Sequence, residues 1–228
     1  MIGGYSFSTY DELVVFLLRT IGPARVLDIG AGEGKYGRLI RQAGLNDVHI
    51  TAVEYEAQRR PELLALGYNE VWTQSAMDLL DRPADTYEVV ILGDVIEHFR
   101  KSDGQDLLEF LNYRSAYIFV ITPESMPMSS PHFYEGHNSL WRPHSMQWHD
   151  LWLYERNAVM YFYLLRGYLQ GTAKSLRDLM QLANEQPFMG HINTGHRNHV
   201  PLSLKLHDEV SVDPHPTASG MGVMYRPR

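Results

Sequence analysis

Cysteine is absent from this chain of 228 residues, which excludes disulfides and thiolate metal sites and leads us to expect a cytoplasmic protein. Positive charge is also scarce. Lys and Arg number 20 against 27 Asp and Glu, a net charge of −7, and no basic run stands out. A nucleic-acid binder needs a Lys/Arg footprint to neutralise phosphates, so the expected partner is a small-molecule or glycan acceptor rather than RNA or DNA. No stretch approaches the roughly 18 uninterrupted apolar residues of a membrane span. The opening MIGGYSFSTYDEL lacks a basic segment followed by an apolar core, so no signal peptide is expected. Neither repeats nor low-complexity segments occur. What remains is an ordinary globular composition, 44% hydrophobic and 21% charged, large enough for a sizeable core in one α/β domain over 1–228. A homodimer is compatible with this composition, which leaves the oligomeric state open.

Apolar runs and breakers predict alternating strands and helices. A first helix is expected over 9–19, N-capped by Ser8 or Thr9 and broken by Gly22-Pro23. Strands follow at 25–29, 49–54, 70–73, 87–92 and 116–121, with helices over 35–43, 60–66 and 104–112 between them. The near-continuous apolar run at 87–92 suits a strand buried on both faces. Residues 123–150, rich in Pro, Ser, His, Met and Trp, read as a long functional loop. Residues 157–169 are apolar enough for a strand or a helix, and periodicity does not decide between them. Helix is expected again at 174–184. The segment 185–228 is the least readable, with a last strand suggested near 221–225.

The stretch VLDIGAGEGKYGRLI carries the most information. A strand ends at Asp28, and Gly30, Gly32 and Gly34, with Ala31 among them, open a turn into a helix. Such a turn admits positive φ, lets a ligand lie on the backbone and cradles part of a nucleotide-like cofactor at a helix N-terminus. The spacing is G-x-G-x-G, not the dinucleotide G-x-G-x-x-G. About twenty residues on, Glu54 ends the second strand, where an acid accepts hydrogen bonds from ribose hydroxyls. Tyr55 beside it is a candidate to pack on an adenine. In ILGDVIEHF, Asp94, Glu97 and His98 stand at i, i+3 and i+4, so a helical turn projects all three from one face. That turn follows a central strand, at the end where open α/β sheets bind their ligands.

In order and at these intervals, VLDIGAGEGKYG, VEYEA, ILGDVIEHF and FVITPE resemble the class I S-adenosylmethionine (SAM) methyltransferases. With GKYG and the later EGHNSLW, they are similar to a subgroup of bacterial sugar and polysaccharide methyltransferases. The resemblance implies a Rossmann-like, doubly wound α/β sheet, mostly parallel with an antiparallel last strand, and SAM as cofactor. It places Asp28, Gly30, Gly32 and Gly34 around the methionine part of SAM, Glu54 at the ribose, and the backbone of Gly93 and Asp94 at the sulfonium end. Many members hold the adenine amino group with an Asp after the third strand. Here the equivalent is Ser75, so the contact is open between Ser75, the Ala76–Met77 backbone and Asp78. Resembling sequences also carry His-x-x-x-Trp after strand five, which makes His137 the candidate to meet His98 across the site.

Methyl transfer from a sulfonium needs an aligned nucleophile and a proton acceptor, and histidine suits an alcohol substrate at neutral pH. His98 and His137 are therefore the catalytic candidates, with Asp94 and Glu97 orienting them. The small-RNA 2′-O-methyltransferases hold a divalent metal with Glu-x-x-Glu-His and a later His. Asp94, Glu97, His98 and His137 imitate that set, which keeps a metal-assisted RNA enzyme as an alternative although the acidic charge opposes it. A SAM-binding scaffold subunit without catalysis is another. His191, His196 and His199 read as a solvated loop, His144 and His149 as pocket lining or packing, Tyr161-Phe162-Tyr163 as core, and Arg142 as a candidate anion contact.

Overall fold

A computed structural model describes residues 7–82, 85–124, 130, 132, 135–156, 160–169, 174–190 and 201–207. Eight strands form one sheet: β1 (Arg25–Ile29), β2 (His49–Glu54), β3 (Glu70–Thr73), β4 (Tyr87–Gly93), β5 (Ser115–Pro123), β6 (Trp152–Arg156), β7 (Met160–Arg166) and β8 (Lys205–Leu206). Their order is β3-β2-β1-β4-β5-β7-β6-β8. The first five are parallel, while β7 runs antiparallel to β5 and β6, and β8 antiparallel to β6. The fold is the expected mixed α/β, Rossmann-like one.

The helices are α1 (Asp11–Ile21), α2 (Lys35–Gln42), α3 (Arg60–Ala65), α4 (Lys101–Asn112) and α5 (Leu176–Asn184). Leu13, Val14, Leu17 and Leu18 form the buried stripe of α1, which packs with Ile40 of α2 and Leu179 of α5 on one face of the sheet. Leu107, Leu108 and Leu111 of α4 cover the other face together with Trp141 and Met146. Strands covered on both faces are apolar at nearly every position, and β5 is buried along its whole length.

Three details refine or depart from the sequence expectation. Helix α1 starts at Asp11, with Tyr10 at the N-cap and no side-chain cap; Ser8 instead accepts the Asp11 N–H through its carbonyl at 3.1 Å. The ambiguous apolar run is a strand because β5 needs a partner on its far side: Phe119 pairs with Leu164 and Ile121 with Phe162. Strand β6 was not anticipated, because Glu155 and Arg156 interrupt its apolar pattern. The suggested strand near 221–225 and His191, His196 and His199 lie outside the described residues.

Glu155 is buried in β6, one residue before its end. Its Oε2 accepts the Tyr10 hydroxyl at 2.6 Å, and the same hydroxyl lies 3.0 Å from the Met160 carbonyl. This ties the segment before α1 to the antiparallel half of the sheet. Burial raises the Glu155 pKa from 4.5 to about 7, with the Tyr10 hydrogen bond opposing. A carboxyl raised in the folded state favours folding fully below its unfolded pKa and loses that contribution as pH rises through its folded value. Glu155→Gln is therefore expected to flatten the loss of stability between pH 5 and pH 8, by on the order of 2–3 kcal/mol. Urea unfolding at the two pH values checks this; an unchanged slope in the variant contradicts it.

Candidate active site

The parallel register brings the ends of three strands to one level. Asp28 stands beside Ala52 and Ile91, and Ile29 beside Val53 and Leu92, so the residues next in line are Gly30, Glu54 and Gly93. Gly30 turns back with its N–H on the Val53 carbonyl at 2.8 Å. Gly30 and Gly32 both have positive φ, +70° and +52°, but for different reasons. A Cβ on Gly30 would sit 2.4 Å from Val95 Cγ2, so Gly30 is required by packing. A Cβ on Gly32 would meet nothing nearer than 3.8 Å, so its backbone faces open space that a ligand can occupy.

Two acids frame this loop. Glu54 accepts the Gly32 N–H on Oε2 at 2.7 Å and the Glu56 N–H on Oε1 at 2.8 Å, and each oxygen keeps a further lone pair. Asp28 is fully buried. Its Oδ2 accepts the Tyr68 hydroxyl at 2.5 Å, and that hydroxyl in turn accepts the Gly37 N–H at 2.9 Å. Asp28 Oδ1 has no partner among the described residues. Burial raises the Asp28 pKa to about 7, against the lowering effect of the Tyr68 hydrogen bond. Tyr68 carries a signal only in retrospect; it lies outside every motif. A buried acceptor without a donor, a strand-end carboxylate and an open glycine backbone fit the amino, hydroxyl and cationic groups of SAM. Asp28, Glu54 and the loop from Gly30 to Gly34 would hold it.

The neighbouring candidates divide. Tyr55 is 67% exposed. Ser75 caps the 3₁₀ turn Ala76–Asp81: its Oγ accepts the Met77 N–H at 3.2 Å while Asp78 Oδ2 accepts the Ser75 N–H at 3.0 Å. Ser75 and Asp78 thus form a reciprocal capping box, a local structural task for both. Ala76 is buried and Met77 packs against the core beside it.

After β4 the chain makes a tight turn. A Cβ on Gly93 would lie 2.2 Å from the Tyr36 hydroxyl, so the Tyr36 ring rests directly on this backbone. Burial and the charges of Asp94, Asp28, Asp11 and Glu97 push the Tyr36 phenol well above its usual pKa. Sequence reasoning missed Tyr36, although it occupies the first turn of the helix that the glycine loop opens. Asp94 is the one non-glycine residue with positive φ (52°) among the described residues, a strained conformation of the kind found at functional sites. The expected helical turn is a short 3₁₀ turn, Ile96–His98, and Asp94 precedes it.

Glu97 and His98 point into a shared cluster. Glu97 is buried and accepts the Thr122 hydroxyl at 3.1 Å; burial and the Asp94 charge raise its pKa well above 4.5. His98 Nδ1 lies 3.0 Å from the Gly136 carbonyl. A carbonyl only accepts, so Nδ1 carries the proton and Nε2 keeps its lone pair. Burial lowers the His98 pKa below 6.5 against the Gly136 contact, with His137 adding to the lowering. The His98 and His137 rings meet edge to face, 5.0 Å between centroids. One ligand atom from each of Glu97, His98 and His137 lies within 4.8 Å of the others. Asp94 is not in that trio, so three of the four proposed metal ligands come together.

The loop bearing His137 is held onto this turn. Asn138 and Ser139 donate N–H groups to the Glu97 carbonyl at 2.7 and 3.1 Å, Asn138 Nδ2 reaches the His98 carbonyl at 2.7 Å, and Trp141 Nε1 the Ile96 carbonyl at 3.2 Å. Trp141 is fully buried. His149 is packed into the fold. It is buried with Nε2 2.9 Å from Asn112 Oδ1, and burial lowers its pKa to about 4.

The sequence profile of the family described as "Methyltransferase domain" matches residues 4–184. The chain belongs to that family. It carries a SAM-dependent methyltransferase domain. No curated protein matches the chain. Among solved structures, WbdD in complex with the kinase inhibitor LY294002 is similar at 14% identity and TM-score 0.52, over 68% of this chain. The chain spans only 40% of WbdD's length. The DhpI–SAH complex is similar at 14% identity and TM-score 0.50, over 71% of this chain and 87% of DhpI. An O-methyltransferase family protein from Burkholderia thailandensis is similar at 12% identity and TM-score 0.51, over 71% of this chain and 59% of its own.

Glu54→Gln is expected to keep the fold but weaken SAM binding by about tenfold, since a carboxylate that would hold the ribose hydroxyls loses its charge. Calorimetry with SAM against circular dichroism separates the two; unchanged affinity contradicts the assignment of Glu54.

Proposed function

We propose that this domain methylates a hydroxyl of a sugar, glycan or related small molecule in the cytoplasm, with His98 or His137 taking the acceptor proton. The observation that carries the reading is the meeting of the two imidazoles, 5.0 Å apart, beside the end of β4 and the glycine loop. Bound SAM supplies an already activated methyl group, so the chain's own task is to orient the acceptor and accept its proton. His98 is suited to this because its Nε2 lone pair is free and its pKa is lowered, which keeps it unprotonated at neutral pH. Glu97 stands behind the pair, and Gly136 fixes the ring. The zero cysteine count supports the cytoplasmic setting, the net charge of −7 supports an acceptor other than nucleic acid, and the O-methyltransferase neighbour supports oxygen as the target.

The test is a panel of sugars, nucleotide sugars and phenols with purified protein and SAM, with SAH as the measured product. His98→Ala and His137→Ala are expected to lower kcat by about 10²- to 10⁴-fold at the general-base residue while SAM affinity holds. The acid limb of the pH–rate profile should fall below pH 6.5. SAM binding with no turnover on any acceptor, and full biological function in both variants, would instead favour a scaffold subunit.

One observation favours a second reading, metal-assisted transfer: the clustered ligand atoms of Glu97, His98 and His137. A divalent ion there would lower the pKa of an acceptor hydroxyl. His98 meets one requirement of a ligand, since its far ring nitrogen is tied to a backbone carbonyl. Under the first reading, activity survives EDTA and is unchanged by Mn²⁺ or Zn²⁺. Loss with EDTA and restoration by one of these ions assigns the second.

A further inference from the structure

Tyr36 carries a hydroxyl that its packing does not need. Its ring belongs to the core on the α2 face of the sheet and fills the place of the side chain that Gly93 lacks. A Cβ on Gly93 would meet Tyr36 Cε2 at 2.1 Å, Oη at 2.2 Å and Cζ at 2.5 Å. The hydroxyl thus ends against the backbone of the last residue of β4. Phenylalanine would fill the same space. Tyr36 is only 5% exposed, yet its hydroxyl makes no hydrogen bond among the described residues. Tyr10, Tyr68, Tyr117 and Tyr163 are buried too, and the hydroxyl of each has a partner. A buried hydroxyl without a partner costs stability, so its retention calls for a use.

The surroundings indicate the kind of group it would meet. Asp94 acts on the phenol most strongly among the neighbouring charges, followed by Asp28, Asp11 and Glu97. All four are acids. The neighbouring cation is engaged elsewhere, since Lys35 Nζ donates to the Phe7 carbonyl at 2.5 Å and pairs with Asp11 at 2.7 Å. Asp28 Oδ1, like the Tyr36 hydroxyl, is buried without a partner among the described residues. Between the end of β4 and the helix opened by the glycine loop there is therefore a neutral phenol oxygen with unused lone pairs, in surroundings that favour positive charge.

We propose that Tyr36 is a specificity-determining contact for the sulfonium of SAM: its hydroxyl oxygen turns lone pairs toward the positive sulfur and its polarised methyl group. SAM is thereby held in preference to S-adenosylhomocysteine (SAH), whose sulfur is neutral. A fixed dipole attracts a cation more strongly in a site closed to water than in solution, and it does so without burying another charge. The ring wedged against Gly93 keeps that dipole in place. Methyl transfer leaves a neutral thioether, so the attraction ends with the reaction and the contact favours release of the product. The inference rests on the membership of the methyltransferase family and is independent of the acceptor and of His98 and His137.

The experiment is calorimetry of the full chain and of Tyr36→Phe, at one fixed pH, with SAM, SAH and sinefungin, which carries an ammonium group where SAM has its methylated sulfur. The variant should bind SAM and sinefungin about tenfold more weakly and SAH with an affinity changed by less than about twofold. Its urea unfolding midpoint should not fall, because the lost hydroxyl has no partner in the fold. Tyr36→Leu, which removes the ring as well, should weaken all three ligands and marks the effect of packing alone. Equal weakening of SAM and SAH in Tyr36→Phe overturns the proposal, as does unchanged SAM affinity or a lowered unfolding midpoint. Failure of the unaltered chain to bind any of the three ligands would instead overturn the cofactor assignment, and this inference with it.

Discussion

The in-register pairing of β2, β1 and β4 is the constraint on which the site depends. Because Asp28 aligns with both Ala52 and Ile91, the three strands stop at the same level, and three chain segments leave the sheet side by side. A slip of one residue would send Asp28 and Glu54 to the opposite faces and break the side-chain packing on both. Burial therefore enforces the register, and the register places the acids. The same strands that make the core apolar on both faces also fix where polar groups can emerge.

At that edge the protein concentrates acidic groups and pairs them with hydroxyls rather than with cations. Asp28 and Glu97 are buried acids with hydroxyl partners, Tyr68 and Thr122, and both have pKa values displaced upward by burial. Hydroxyls satisfy geometry without supplying charge, so such a site is poised toward cationic and hydrogen-bond-donating groups. The imidazoles next to it stand in the opposite sense, with His98 displaced downward and hence a neutral base. Acids that resist ionising and a histidine that resists protonation give this edge a low reserve of charge in the absence of ligand.

Much of this was legible in the sequence, and the boundary is physical. Strands β1, β2, β4 and β5 announce themselves as apolar runs because they are buried on both faces, and the glycine loop because its conformation restricts residue type. Glu54, His98 and His137 could be named from local motifs. Tyr36 and Tyr68 could not, since their roles arise from contacts across the fold: one ring against Gly93, one hydroxyl against Asp28. Strand β6 was hidden because Glu155 is buried by a hydrogen bond to Tyr10, 145 residues away. Asp94 was expected to share a face with Glu97 and His98, but a left-handed residue sets it apart from their turn. Ser75 and Asp78 were read toward a ligand, and they serve first to cap their own turn.

Trp141 anchors the long connection between β5 and β6. A Cβ on Gly104 would lie 2.5 Å from its ring, the Lys101 ammonium stands 3.4 Å from the ring centroid, and Tyr163 donates its hydroxyl to the Trp141 carbonyl at 2.8 Å. From Gly136 to Trp141 the chain is riveted to α4, β7 and the turn after β4. A change at Trp141, Gly104 or Tyr163 would therefore shift His137, although none of the three belongs to the cluster of Glu97, His98 and His137. The placing of the imidazole pair thus depends on packing behind it as much as on the two histidines themselves.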